Sequence, residues 1–111
     1  MYQPVFTRLG LSSSVGNASE VSQAVSMQGA NAAQADVVLY AQTATNVSFQ
    51  LQVSNDLENW TNAGSAQTVS AVGFLLLTAI TSISGASIRI KATLTGSGVA
   101  VLSAGVNTAL L

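Results

Sequence analysis

From Asp36 onward the chain alternates apolar and polar residues with a period of two. In "DVVLYAQT", Val37, Leu39 and Ala41 alternate with Val38, Tyr40 and Gln42. In "NVSFQLQVS", Val47, Phe49, Leu51 and Val53 alternate with Ser48, Gln50, Gln52 and Ser54. Successive side chains of a strand point to opposite faces, so this spacing predicts strands with one face in a core and one in water. "ASIRIKATLT" repeats the pattern, with Ile88, Ile90, Ala92 and Leu94 on one face and Ser87, Arg89, Lys91 and Thr93 on the other. "GFLLLTAI" is apolar without alternation, which predicts a strand covered on both faces. Gly96–Gly98 reads as a hairpin turn before a last long strand, "VAVLSAGVNTALL". The apolar end, Ala109 to Leu111, is expected to be packed, against a neighbouring copy if not against its own chain.

The first third is less regular. Met1 to Arg8 reads as a short strand, with Pro4 marking an edge position. Residues 10–35 are rich in Ser, Ala, Gln, Asn and Gly; Val21 and Val25 either share one side of a helix or belong to a weak strand, "EVSQAVSM", in an irregular arm, and the second reading is favoured. Short strands punctuated by Gly and Asn indicate an all-β fold. The expected architecture is one antiparallel β-sandwich, jelly-roll-like, spanning 1–111. Residues 36–111 form its core, and residues 1–35 form an extended N-terminal arm or edge strands.

Composition narrows the function. Only 6% of the 111 residues are charged, against about 25% in an ordinary soluble domain. Hydrophobic residues make up 49%, the net charge is −1 and mean hydropathy is +0.49. A neutral surface promotes association, so much of it is expected to be covered by other copies. The rival explanation is a neutral, Ser/Thr-rich monomer. Three basic residues, Arg8, Arg89 and Lys91, are too few for a nucleic-acid footprint or for attachment to anionic lipid. The apolar run from Ala71 to Ile80 is too short to span a bilayer as a helix. The start, "MYQPVFTRLGLSSS", has no signal-peptide pattern, so synthesis in a cytoplasm is expected. The sequons at Asn17, Asn46 and Asn59 then read as chance products of a Ser/Thr/Asn-rich chain.

The candidate chemistry is concentrated in "QVSNDLENWT", which holds two of the four carboxylates and the single tryptophan. Asn55, Asp56, Glu58 and Asn59 carry turn chemistry, since Asn and Asp side chains bond backbone two residues ahead. The loop length decides where Trp60 goes. A four-residue loop, Asn55 to Glu58, pairs Val53 with Trp60 and sends the indole to the core. A five-residue loop, Asn55 to Asn59, pairs Ser54 with Trp60 and turns the indole outward beside Gln52. A core poor in aromatics favours the inward register.

"FQLQVSNDLENWT" followed by "GASIRIKATLTG" resembles the pattern of discoidin-type (coagulation factor 5/8 type C) jelly-roll domains. There a strand runs into Ser-x-Asp-x-x-x-Trp, matched here by Ser54, Asp56 and Trp60. A later strand is matched by Ala86, Ile88, Arg89 and Ile90. Similar strand pairs occur in small phage and virus-like structural proteins. The resemblance covers about half the chain and lacks counterparts of the family's ligand-gripping loops. It implies a β-sandwich and carries over no lipid or sugar site.

Catalysis has little to stand on. The chain has no histidine and no cysteine, which excludes a serine triad and thiolate zinc. Asp56 and Glu58 are close together in a solvated turn, and Glu20 and Asp36 have no evident partner, so no acid–base pair is expected. No cofactor and no metal are expected. Calcium at Asn55, Asp56, Glu58 and Asn59 is a weaker reading than a hydrogen-bonded turn. Arg89 and Lys91 either pair with Asp56 or Glu58 across a subunit boundary or keep a strand soluble. The favoured expectation is a non-enzymatic structural subunit of a large homo-oligomer, a small bacteriophage virion protein of the capsid shell, decoration, tail or spike. Its partners would be its own copies and other virion proteins, with no nucleic acid and no membrane. The alternative is a carbohydrate-binding sandwich with Trp60 as a stacking platform, gripping hydroxyls through Asn55, Asp56 and Asn59.

Overall fold

The computed structural model describes residues 2–14 and 17–111. Met1, Val15 and Gly16, which belong to the expected first strand and to the 10–35 stretch, lie outside the described residues. The elements are β1 (Tyr2–Ser13), β2 (Ala18–Val21), β3 (Val25–Ser26), β4 (Ala32–Gln42), β5 (Asn46–Ser54), β6 (Thr61–Val69), β7 (Gly73–Leu76), β8 (Ser87–Thr95) and β9 (Gly98–Ala109). All the strand pairings are antiparallel. One sheet has the order β1-β9-β4-β7 and the other β2-β8-β5-β6, with β3 also on β8.

β2 and β3 act as two pieces of one strand. Between them Ser22 donates its N–H to the Ile90 carbonyl at 2.8 Å, and its hydroxyl accepts the Ile90 N–H at 2.9 Å. The hydroxyl thus stands in for a ladder group where the strand breaks, which explains a buried serine. Counted this way the sandwich has four strands on each side, and the first strand pairs with the last. Except for the β5–β6 hairpin, its connections cross between the two layers.

The period-two pattern places the core. Val47, Ile88, Ile90, Ala92, Leu94, Ala100, Leu102 and Val106 are fully buried between the layers, with Phe49, Leu51, Val37 and Leu39 around them. Among the described residues before Ala32, β1, β2 and β3 lie along sheet edges rather than in a free arm, whereas Ala32–Ala35, expected outside the core, begin the inner strand β4, and Ala33 and Ala35 are buried in the core. β1 closes one sheet against β9 and β2 closes the other against β8. Pro4 sits on that edge strand, where a missing N–H costs least.

Two expectations about the strands are corrected. Gly96–Gly98 is not a hairpin, because β8 and β9 belong to different sheets. It is a corner, stacked on the corner that joins β4 to β5. Thr43 and Val99 exchange bonds there at 2.9 and 3.0 Å, and the Thr45 N–H donates to the Thr95 carbonyl at 3.0 Å. The glycines are needed for the close approach: a Cβ on Gly98 would lie 2.8 Å from the Ala44 nitrogen, at φ +143°.

The apolar run is the second correction. β7 is the last strand of its sheet, and Phe74, Leu75 and Leu76 are exposed instead of covered on both faces. Leu77 alone turns under, its N–H donating to the Ala35 carbonyl at 2.9 Å. The apolar terminus is held by its backbone and does not pack within its own chain. Asn31 accepts the Leu111 N–H at 2.9 Å, while Leu110 and Leu111 stay 76% and 77% exposed.

Candidate functional site

The loop after β5 is built from Ser54 and Asp56. The Ser54 hydroxyl accepts the N–H groups of Asp56 and Leu57 at 3.2 and 3.0 Å, and donates to the Asp56 carboxylate at 3.0 Å. Asp56 in turn accepts the N–H groups of Glu58 and Asn59 at 2.9 and 2.8 Å and the Asn59 side-chain amide at 2.7 Å. The Asn59 backbone donor first, then that of Glu58, hold the Asp56 carboxyl far below the usual carboxylate range. The local geometry follows from sequence, since Ser and Asp side chains substitute for backbone acceptors in turns. Leu57 takes a left-handed conformation, φ +66°, so that the chain can reverse within the loop. Asn55 faces away from this network and accepts the Ala86 N–H at 3.0 Å, pinning the loop to the start of β8.

The register overturns the inward placement of Trp60. β5 and β6 pair Val53 with Thr61 and Gln52 with Asn62, the register of the five-residue loop. Trp60 therefore lies on the outer face, half-buried, with its indole N–H on the Leu57 carbonyl at 3.3 Å. Arg89 covers the ring, its guanidinium carbon 4.1 Å from the centroid. The Arg89 Nε–H donates to Gln52 at 2.9 Å, and the Gln52 amide donates to Asn62 at 3.0 Å. A row thus runs Trp60, Arg89, Gln52, Asn62 across three strands. Lys91 stands two residues along the same face, opposite Gln50.

Of the candidate residues, the fold brings Asn55, Asp56, Glu58, Asn59, Trp60 and Arg89 to one corner, and Lys91 next to it. Most of their polar groups are already spent inside the chain: Asp56 on its own loop, Asn55 on Ala86, Arg89 on Trp60 and Gln52. The other carboxylates are elsewhere. Glu20 is on β2, and Asp36 is on the opposite sheet, where it accepts the Tyr2 hydroxyl at 3.1 Å. Among the described residues no group of three or more His, Cys, Asp or Glu side chains could hold a metal ion.

The two outer faces differ in chemistry. The β2-β8-β5-β6 face carries Ser48, Gln50, Gln52, Arg89, Lys91 and Thr93, all on strand positions opposite to the buried set. The other face carries Val38, Tyr40, Val99, Val101, Phe74 and Leu76, with Phe74 66% and Leu76 56% exposed. There Arg8 lies over the Tyr40 ring at 4.3 Å from its centroid. Sequence reasoning missed this apolar side and the β7 edge. The signal that pointed to them was the lack of any charged residue between Glu58 and Arg89. The chain matches no protein-family model, and no curated protein matches it.

Proposed function

We propose that this protein is a non-enzymatic structural subunit that works in many identical copies. Its narrower form is a small bacteriophage virion component of the shell, decoration, tail or spike, made in the host cytoplasm and found in the assembled particle. The observation that carries the assembly reading is the β7 edge. Phe74, Leu75 and Leu76 stand exposed on an uncharged strand at the border of the apolar sheet face. Monomeric proteins blunt such edges with charge, proline or bulges, and contiguous exposed apolar surface marks a contact. The low charge and the bare Leu110 and Leu111 fit the same use. The virion assignment draws on the resemblance of the 49–61 and 85–96 segments and on the use of jelly rolls in capsids, which is analogy at the level of fold.

The test is the mass of the native protein by light scattering after size exclusion, with electron microscopy of the peak. Particles or filaments of many copies are expected. A monomer of 11.2 kDa at high concentration would sink the reading.

A carbohydrate-binding role is the second reading, and the outward Trp60 favours it. Aromatic rings on a sheet face stack on apolar faces of ligands, and jelly rolls also serve as lectin domains. Arg89 already occupies one face of the indole, so a sugar would use the other or displace the guanidinium. Titration of glycans against Trp60 fluorescence tests this; an unchanged emission across a broad glycan panel excludes it.

A further inference from the structure

We propose that the open edge of β7 pairs with the β7 of a second copy about a two-fold axis, in a register centred on Leu75. This rests on the assembly reading and names its first contact.

The register follows from the ladder on the other side of the strand. β7 and β4 pair Leu76 with Asp36 and Leu75 with Val37. The next pair in line, Leu77 and Ala35, is a hydrogen-bonded one, with the Leu77 N–H on the Ala35 carbonyl at 2.9 Å. Hydrogen-bonded and non-bonded pairs alternate in an antiparallel ladder. Leu75 therefore spends its backbone groups on Val37, and the N–H and C=O groups of Phe74 and Leu76 point to the open edge.

Those groups complement themselves. With Leu75 opposite its own copy, Phe74 faces Leu76 of the second copy, and Leu76 faces its Phe74. Both pairs are of the hydrogen-bonded kind, so every outward group of the two residues finds a partner. Phe74 and Leu76 share the outer sheet face, so they also pack across the junction. A slip by one residue sets outer side chains against inner ones and loses this match. The result is an isologous contact, the same patch on both copies.

A second copy supplies the matching groups by symmetry, and β7 itself carries no charge to repel an identical strand. There is no charge between Glu58 and Arg89. The other three edges are blunted. β1 carries Pro4, two register shifts and Arg8 at φ +47°. β2 carries a charge, Glu20. β6 is polar and bulged, with Gln50 donating into the bulge at the Ala63 and Gly64 carbonyls.

The chain has no cysteine, so Leu75→Cys introduces a single thiol. Across a non-bonded antiparallel pair the Cα atoms lie about 4.5 Å apart, within the ~4.4–6.8 Å that a disulfide spans. Under mild oxidation most Leu75→Cys protein is expected at twice 11.2 kDa on a non-reducing gel. Phe74→Cys and Leu110→Cys should remain mostly uncrosslinked. Leu76→Lys, at an exposed site, should keep the β-sheet circular dichroism and lose the assembly. Particles of wild type without crosslinking of Leu75→Cys overturn the β7 contact and leave the assembly reading standing. Preferential crosslinking of Phe74→Cys overturns the register. Assembly that survives Leu76→Lys also overturns the contact. A wild-type monomer together with an uncrosslinked Leu75→Cys overturns both readings.

Discussion

The guanidinium of Arg89 lies 4.1 Å from the ring centre of Trp60, and its Nε–H is held by Gln52 at 2.9 Å. Two residues 29 positions apart in sequence thereby lock the β5–β6 loop onto β8. A cation over an indole contributes about 0.5–1 kcal/mol at an exposed site, and the hydrogen bond adds a comparable amount. Arg89→Ala should cost about 1–2 kcal/mol in urea denaturation and change Trp60 emission. Arg89→Lys keeps the charge but loses the planar fork that bonds Gln52 while stacking, so it should recover only part of the loss. An unchanged midpoint in Arg89→Ala would show that the pair is ornamental to stability.

Core and edge should respond in opposite ways. Leu94 is fully buried between the sheets, and Leu94→Ala should cost roughly 2–5 kcal/mol by lost burial and a cavity. Leu76 is 56% exposed, and Leu76→Ala should shift the monomer's unfolding free energy by under about 1 kcal/mol. The two denaturation curves decide whether β7 contributes to the fold.

The two sheet-crossing corners should tolerate no side chain at Gly98. A Cβ there meets Ala44 and Thr43 at 2.8 Å, at φ +143°. Gly98→Ala should cost about 1–3 kcal/mol. Gly10 has nothing within 4 Å of its missing Cβ and no positive φ. Gly10→Ala should be neutral or stabilise by about 0.4–1 kcal/mol. Thermal melts of the two variants give the comparison; equal losses would remove the steric argument.

Acid should loosen the loop through Asp56. Its carboxyl is held below the ordinary range by the Asn59 and Glu58 donors, so the folded chain favours the ionised form. The stabilisation is complete above the unfolded value of about 3.9. It declines as pH falls below that value toward the depressed folded one. The group is exposed, so salt screens part of the effect. In low salt, the melting temperature of Asp56→Asn should fall less than that of wild type between pH 5 and pH 2. Parallel pH profiles would show that the Asp56 bonds do not stabilise the folded state.

Much of the architecture was legible along the chain. Val47, Phe49, Leu51 and Val53, and Ile88, Ile90, Ala92 and Leu94, are inward as their alternation requires, because the strand period of two leaves no other face for them. Asp56 forms the expected turn because its bonds reach only two or three residues, and Ser54, not among the expected turn residues, joins it on the same short range. The sequence by itself thus determined the strands β4, β5, β8 and β9, the inner faces of β5 and β8, and the turn chemistry of Asp56. Tertiary structure decided which strands are neighbours. It put β8 and β9 in different sheets, which makes Gly96–Gly98 a corner, and it set β7 at an edge, which leaves Phe74 and Leu76 bare. It also chose the five-residue loop, where Arg89, far away in sequence, supplies a cover for the outward Trp60. Alternation and turn chemistry are properties of adjacent residues. Pairing partners, sheet order and register depend on contacts between distant ones, and no local pattern encodes those.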